Sequence, residues 1–228
     1  MIVPAEIETF YVAGAGRFGR QAVSKLLQLH PGARVFVIEK DASTAEKLPA
    51  EMPALETQPV IADAVEYLSS RVEAIGGGDV WIIPTVPLHL AAAIIRRLTG
   101  RVSLQWGEIP LLPHGFLGPN GELYSSLADF TCPEDCPQPV DHCYTTGEPR
   151  EKSLVHILED ISYHNYPSLV LRSRQLAPGV GGFQVAAIRK LFEQLNNISG
   201  PLVFSAACLC HGVSNLLGWE NNVKGGIN

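Results

Sequence analysis

The sequence predicts an α/β fold, a doubly wound parallel sheet that is Rossmann-like, on three observations. Strand-like apolar runs alternate with segments of helical periodicity over the first hundred residues. A glycine turn, Gly14-Ala15-Gly16-Arg17-Phe18-Gly19, stands where the first such run meets the first such helix. The second run ends in Glu39, twenty residues beyond Gly19.

The elements follow in order. IETFYVAG (7–14) is apolar and β-rich, and RFGRQAVSKLLQL (17–29) places Phe18, Ala22, Val23, Leu26 and Leu27 at helical spacing. HPG (30–32) ends that helix. ARVFVIEK (33–40) is a nearly unbroken apolar run, as a buried parallel strand requires. DASTAEKL (41–48) is a short helix with Asp41 as its N-cap. LETQPVIADA (55–64) reads as a third strand and AVEYLSSRVEAI (64–75) as a helix. A glycine-rich turn leads into a fourth strand in GGGDVWIIPT (76–85). PLHLAAAIIRRLTG (87–100) is a helix with Pro near its start and Gly at its end, and RVSLQW (101–106) is a fifth strand.

Residues 107–150 break the pattern: they are dense in Pro and Gly and carry three cysteines. Regularity then returns. EKSLVHILEDISYH (151–164) reads as helix, SLVLRSRQ (168–175) as strand, GGFQVAAIRKLFEQLN (181–196) as amphipathic helix, and GPLVFSAACLCHG (200–212) as a last strand with its exit loop. The tail GWENNVKGGIN is expected to be mobile. The organisation expected is therefore a nucleotide-binding domain over 1–106, a Cys/Pro/Gly-rich loop over 107–150, and a C-terminal βαβ extension over 151–228. That extension either completes the sheet or forms a small lobe.

The bulk composition narrows the function classes. A chain of 228 residues with 46% apolar and 18% charged residues is an ordinary globular one. Its net charge of -6 gives no general attraction to nucleic acid. MIVPAEIETF lacks the basic-then-apolar pattern of a signal peptide, and the longest apolar stretch (80–95) is too short and too interrupted by Pro and His to span a bilayer. A cytoplasmic protein with no membrane span is expected, and five cysteines, an odd number, fit a reducing compartment.

The glycine turn has the flanks that a dinucleotide cradle needs. Gly14 permits the tight turn, Gly16 leaves room for a pyrophosphate, and Gly19 lets the helix pack against the sheet. The helix N-terminus offers free N–H groups to the anion. Glu39 would accept hydrogen bonds from ribose hydroxyls and repel a 2′-phosphate, which favours NAD over NADP. Arg17 and Lys40 could instead meet a phosphate.

VAGAGRFGRQAVSKL, VFVIEKDASTAEKL, VIADAVEYL and GGGDVWIIPTVPLHLAAAIIRRL together resemble the N-terminal NAD-binding domain of Trk-type potassium-uptake regulators, the TrkA-N or RCK family. The resemblance covers about residues 8–100. It is closest at Arg17-Phe18-Gly19 and at Ile38-Glu39-Lys40-Asp41. It implies that Asp63, with Ala64 beside it, lies near the adenine, and that Thr85 lies on the nicotinamide side. It further implies a nucleotide-responsive regulator, a membrane-protein partner and a homo-oligomer. After residue 105 a cysteine-bearing loop and another βαβ unit stand in place of that family's small C-terminal ligand-binding domain.

Cys132, Cys136 and Cys143 have the spacing C-x3-C-x6-C, and Cys208 and Cys210 lie in CLCH. Three or four thiolates could hold Zn²⁺ or an iron–sulfur cluster. The same residues could be inert packing thiols or a redox dithiol. His142 and His211 would be further ligands or general acids. If the last strand runs parallel to the first, CLCH lies on the cofactor side of the sheet. A second glycine turn, with Arg172, Arg174, Gly179, Gly181 and Gly182, could form an anion site; a plain loop reads equally well. No Ser-His-Asp, GxSxG or Walker A pattern is present. The expected function is NAD(H) binding in a regulatory role. The alternative is an NAD-dependent oxidoreductase with a cysteine-ligated metal beside the nicotinamide.

Overall fold

A computed structural model describes residues 9–52, 57–74 and 79–220. The first half of the chain runs β1 (Thr9–Ala13), α1 (Arg17–Leu29), β2 (Arg34–Glu39), α2 (Ala42–Glu51), β3 (Thr57–Ile61), α3 (Ala64–Ala74), β4 (Val80–Pro84) and α4 (Leu90–Thr99). The second half continues β5 (Val102–Leu104), β6 (Phe116–Leu117), β7 (Leu123–Ser126), α5 (Leu154–Glu159), β8 (Ser168–Arg172), β9 (Arg174–Ala177), β10 (Val180–Gln184), α6 (Val185–Leu195), β11 (Leu202–Ala207) and β12 (His211–Gly218).

These strands form two mixed sheets rather than one parallel sheet. The first has the order β3-β2-β1-β4-β10-β9. Its first four strands are parallel, and β10 and β9 add to it antiparallel. The second has the order β6-β7-β12-β11-β8, with β5 also on β12. Only β8 and β11 are parallel there.

Alternation along the strands builds the layers. On β1 and β4, Phe10, Val12, Trp81 and Ile83 face Val23 and Leu26 of α1 and Leu48 of α2. Tyr11, Ala13, Val80 and Ile82 face the opposite way, toward α3, α4 and α6. Leu202, Phe204 and Leu217 of the second sheet join that same central core, so α4 and α6 lie between the sheets. The outer face of the second sheet buries Val203 and Leu216 against Leu154, Val155 and Leu158 of α5 and against Trp106.

Local signals explain several boundaries. The Asp41 carboxylate accepts from the Thr44 N–H at 2.7 Å and opens α2. Gly100, at φ 74°, ends α4 with a left-handed turn. The turn is followed by buried Arg101, whose guanidinium donates to the Gly200 carbonyl at 2.9 Å and to that of Ile198. This carries the chain into the second sheet.

Six expectations change. Residues 107–150 are not all loop, because β6 and β7 lie within them and pair into the second sheet. The run at 101–106 supplies no fifth parallel strand. The free edge of β4 is taken by β10, with Phe183 opposite Ile82, so β5 pairs with β12 instead. The run at 168–175 is two strands in different sheets. Ser173 is the switch: its N–H bonds the Ala207 carbonyl at 2.7 Å in one sheet, and its hydroxyl bonds the Gly182 carbonyl at 3.2 Å in the other. Residues 181–184 are strand, and α6 starts only at Val185. The helix expected over 151–164 is confined to α5. CLCH does not follow a terminal strand, because the chain turns back after it as β12. The expected C-terminal βαβ unit is nonetheless recognisable, since β8 and β11 are parallel neighbours and α6 lies on the path between them. Of the tail, residues 221–228 lie outside the described residues, as do 53–56 and 75–78 of the expected strands and turns.

Candidate functional site

The glycine turn joins β1 to α1 at the end of the strand that has β2 and β3 on one side and β4 on the other. Gly14 sits at φ 102°, which side chains rarely adopt. Its N–H bonds the Ile38 carbonyl at 2.8 Å. A Cβ on Gly19 would lie 2.0 Å from the Gly14 carbonyl oxygen, so only glycine lets α1 start this close to the sheet. A Cβ on Gly16 would meet nothing within 4 Å. The middle glycine is therefore not needed for packing.

Glu39 reaches back from the end of β2 into this turn. Its carboxylate accepts from the Ala15 N–H at 2.9 Å and from the Asp41 N–H at 3.0 Å. Thr85, after β4, supports the turn from the other side by donating to the carbonyls of Ala13 at 2.6 Å and Gly14 at 3.2 Å. Asp63 caps α3 by accepting from Val65 and Glu66, and Ala64 is that helix's first residue. Lys40 is exposed beside the β2 end, as are Arg17 and Phe18 on the first turn of α1.

The cysteine-bearing loop lies against that first turn. Glu134 pairs with Arg17 and accepts from the Gln21 amide at 3.3 Å. Lys25 donates to the Glu134 carbonyl at 3.2 Å and to the Pro178 carbonyl at 2.7 Å, tying the loop and the β9–β10 turn to one helix. A Cβ on Gly179 would stand 1.8 Å from the Glu134 carbonyl oxygen, so that turn must be glycine where the loop passes.

All five cysteines line one cavity of about 720 Å³, together with Phe18, Gln21, Arg150 and His211. All five are free thiols of intermediate exposure. The Cys208 Sγ accepts from the Gln138 amide at 3.0 Å and from the His211 N–H at 3.4 Å. The imidazole of His211 has Cys132 Sγ 3.5 Å from Nε2 and Cys208 Sγ 3.9 Å from Nδ1. Burial pushes the Cys208 thiol up, but hydrogen bonds from His211 and from the backbone of Cys210 and His211 outweigh it and bring the thiol to about 7. The bond to Cys208 in turn raises His211. The backbone N–H and side chain of Thr146, with the backbone of Thr145, hold the Cys143 thiol below its ordinary value. Burial raises Cys132, as do the neighbouring thiols of Cys136, Cys143 and Cys208. Burial also raises Cys210, whose Sγ accepts from Arg150 at 3.0 Å.

Three of these groups were not singled out by sequence reasoning. Arg150 fastens the loop by donating to the carbonyls of Val140 at 2.6 Å, His142 at 3.0 Å and Pro139. Gln138 holds a left-handed backbone, φ 50°, while its amide reaches Cys208. Glu134 makes the contacts to α1. Their types carry no motif; only the fold brings them to the site.

Other expected groups lie elsewhere. His142 bonds its neighbour Asp141 at 2.7 Å and does not line the cavity. Gly181 and Gly182 are β10 residues paired with Gln175 and Arg174 of β9. Their backbone groups belong to a ladder, not to an open helix start, and a Cβ on Gly182 would sit 2.5 Å from Ile83 Cδ1. Gly182 is thus a packing glycine, while Gly181 remains at the cavity wall and Arg172 and Arg174 point to solvent. Among the described residues, no three His, Cys, Asp or Glu side chains are gathered closely enough for a single metal ion, and no helix is long and apolar enough to cross a membrane.

The chain is similar to an uncharacterized protein of Archaeoglobus fulgidus, with 27% identity over 226 residues, covering 90% of this chain and 97% of that protein. No solved structure matches. The profile of the family described as "AF_1314_C: Uncharacterized protein, C-terminal domain" matches residues 91–220, a span that contains every cysteine, the loop and the whole second sheet. That span is more than half of the chain, and the chain belongs to this family.

Proposed function

We propose that this is an NAD(H)-binding protein with a regulatory role, whose β1–α1 turn holds the dinucleotide and whose cysteine loop responds to it. One observation carries the reading. A glycine turn stands at the end of β1 in a parallel β3-β2-β1-β4 order, the order a dinucleotide-binding half-sheet would need, and its middle glycine has open space above it. Gly14 and Gly19 are explained by backbone conformation and packing. Gly16 is explained by a ligand that must approach the backbone.

The pyrophosphate would take the free N–H groups at the start of α1. Glu39 would accept from the ribose with the lone pairs its two backbone bonds leave free. Glu134 pairs with Arg17 at that helix end. An incoming phosphate competes for Arg17 and repels the Glu134 carboxylate, which loosens the loop. Nucleotide occupancy would thereby reach the thiol cavity.

Calorimetric titration with NAD, NADH, NADP and NADPH tests this. Gly16→Glu should leave the thermal unfolding midpoint unchanged and weaken NAD binding at least roughly tenfold, about 1.4 kcal/mol. Glu39→Gln keeps an acceptor for the turn and should narrow the preference for NAD over NADP. Absence of any dinucleotide binding by the folded protein would reject the reading. The thiol cavity, which abuts α1 at Phe18 and Gln21, favours a second reading as an NAD-dependent oxidoreductase. Consumption of NADH with an added acceptor would support that one instead.

A further inference from the structure

Free cysteines are ordinarily among the most buried side chains, and an inert thiol packs as a small hydrophobe. These five do neither. They come from two separate stretches, 132–143 and 208–210, and none is fully buried where they meet around one open cavity. A role in core packing does not account for that placement.

Polar groups are placed against two of the sulfurs, Cys208 and Cys210. The Cys208 Sγ accepts from the His211 N–H at 3.4 Å. Gln138 adds an amide donor to Cys208 while its own backbone stays in a left-handed conformation. Arg150 places a fixed cation beside the group at Cys210. Hydrogen bonds and a countercharge around sulfur are the outer-shell features by which a protein orients and tunes a thiolate-bound centre.

The spacing separates the possible occupants. A single tetrahedral ion draws its ligands to about 2.3 Å from one point, and no three candidate side chains are gathered that closely among the described residues. An iron–sulfur cluster spreads its thiolates over separate iron corners, so they stand further apart while still feeling one another's charge. Cys132 feels Cys136, Cys143 and Cys208 in this way; Cys210 feels Cys132 and Cys208 as well, but its Sγ is taken by the Arg150 guanidinium at 3.0 Å.

We propose that Cys132, Cys136, Cys143 and Cys208 are the four protein ligands of an iron–sulfur cluster seated in this cavity, with Cys210 and Arg150 beside it. The assignment does not rest on the dinucleotide reading. The test uses the full chain, purified without oxygen and also reconstituted with ferrous iron and sulfide. Iron and acid-labile sulfide in near-equal amounts, a broad visible absorption and a paramagnetic signal after reduction are expected. Cys143→Ser and Cys208→Ser should lose the iron, whereas Cys210→Ser should retain it; thermal unfolding of each variant shows whether the fold survives. Zinc without iron, or no metal after reconstitution, overturns the proposal. Retention in Cys143→Ser with loss in Cys210→Ser overturns the ligand set. NAD titrations on the same preparations keep the two readings apart: iron without NAD binding sinks only the nucleotide site, and NAD binding without iron sinks only the cluster.

Discussion

The two sheets of this protein build their sites in different ways. In the first, the candidate site is backbone: one turn between adjacent elements, held by Glu39 and Thr85, with Gly16 left open. In the second, the site is side chains. Loop 127–150 and the β11–β12 connection, far apart in sequence, converge their thiols beneath Arg150 and His211. A backbone site tolerates changes to surface side chains but not to the atoms that let chain segments touch. A side-chain site should behave in the opposite way.

The largest break in this comparison is expected at Gly19. Gly19→Ala forces a Cβ to 2.0 Å from a backbone oxygen that cannot swing aside. A loss of about 3–5 kcal/mol, or failure to fold, is expected in denaturant unfolding. Gly16→Ala should cost little, because the added methyl has no neighbour. Equal losses at both positions would mean that the turn is not held as described.

The next effect lies at the join between the sheets. His89, at the start of α4, is buried, stacks on Phe204 and has Nδ1 2.7 Å from Asn215 Oδ1 on β12. Burial drives its pKa from 6.5 down to about 4. The unfolded chain therefore binds the extra proton between pH 6.5 and pH 4 while the folded chain does not. Stability is full above pH 6.5 and falls as pH drops through that window, by about 3 kcal/mol at its lower end. His89→Phe should flatten this slope in denaturant unfolding followed against pH. A slope that survives the substitution would assign acid sensitivity elsewhere.

The smallest effect is expected where the two sites touch. Arg17 and Glu134 are both well exposed, so Glu134→Gln should change stability by less than about 1 kcal/mol. Removing the carboxylate from the start of α1 should nonetheless strengthen NAD binding by roughly two- to fivefold. Unchanged affinity would show that the loop does not report on the turn.

The same contrast governs what could be read from residues alone. The parallel strands and their helices were legible because each carries its own periodicity and its own ends, such as Asp41 and Gly100. RVSLQW is β-forming whichever sheet accepts it, so its transfer to β12 was hidden. SLVLRSRQ gives no sign that it changes sheets at Ser173, because the switch is made by bonds to Ala207 and Gly182. The glycines at 181 and 182 looked like a helix start; they are strand because β4 has a free edge for them to pair with.

The sequence by itself determined the glycine turn, the acid at the end of the second strand, the parallel strands around the turn and the presence of five thiols, because these rest on local backbone chemistry and residue type. Only the tertiary structure decided that the chain forms two sheets, that the thiols share one cavity and that Glu134 reaches α1. Those outcomes depend on which edges and faces remain free once the first elements have packed, and no local stretch of sequence carries that information.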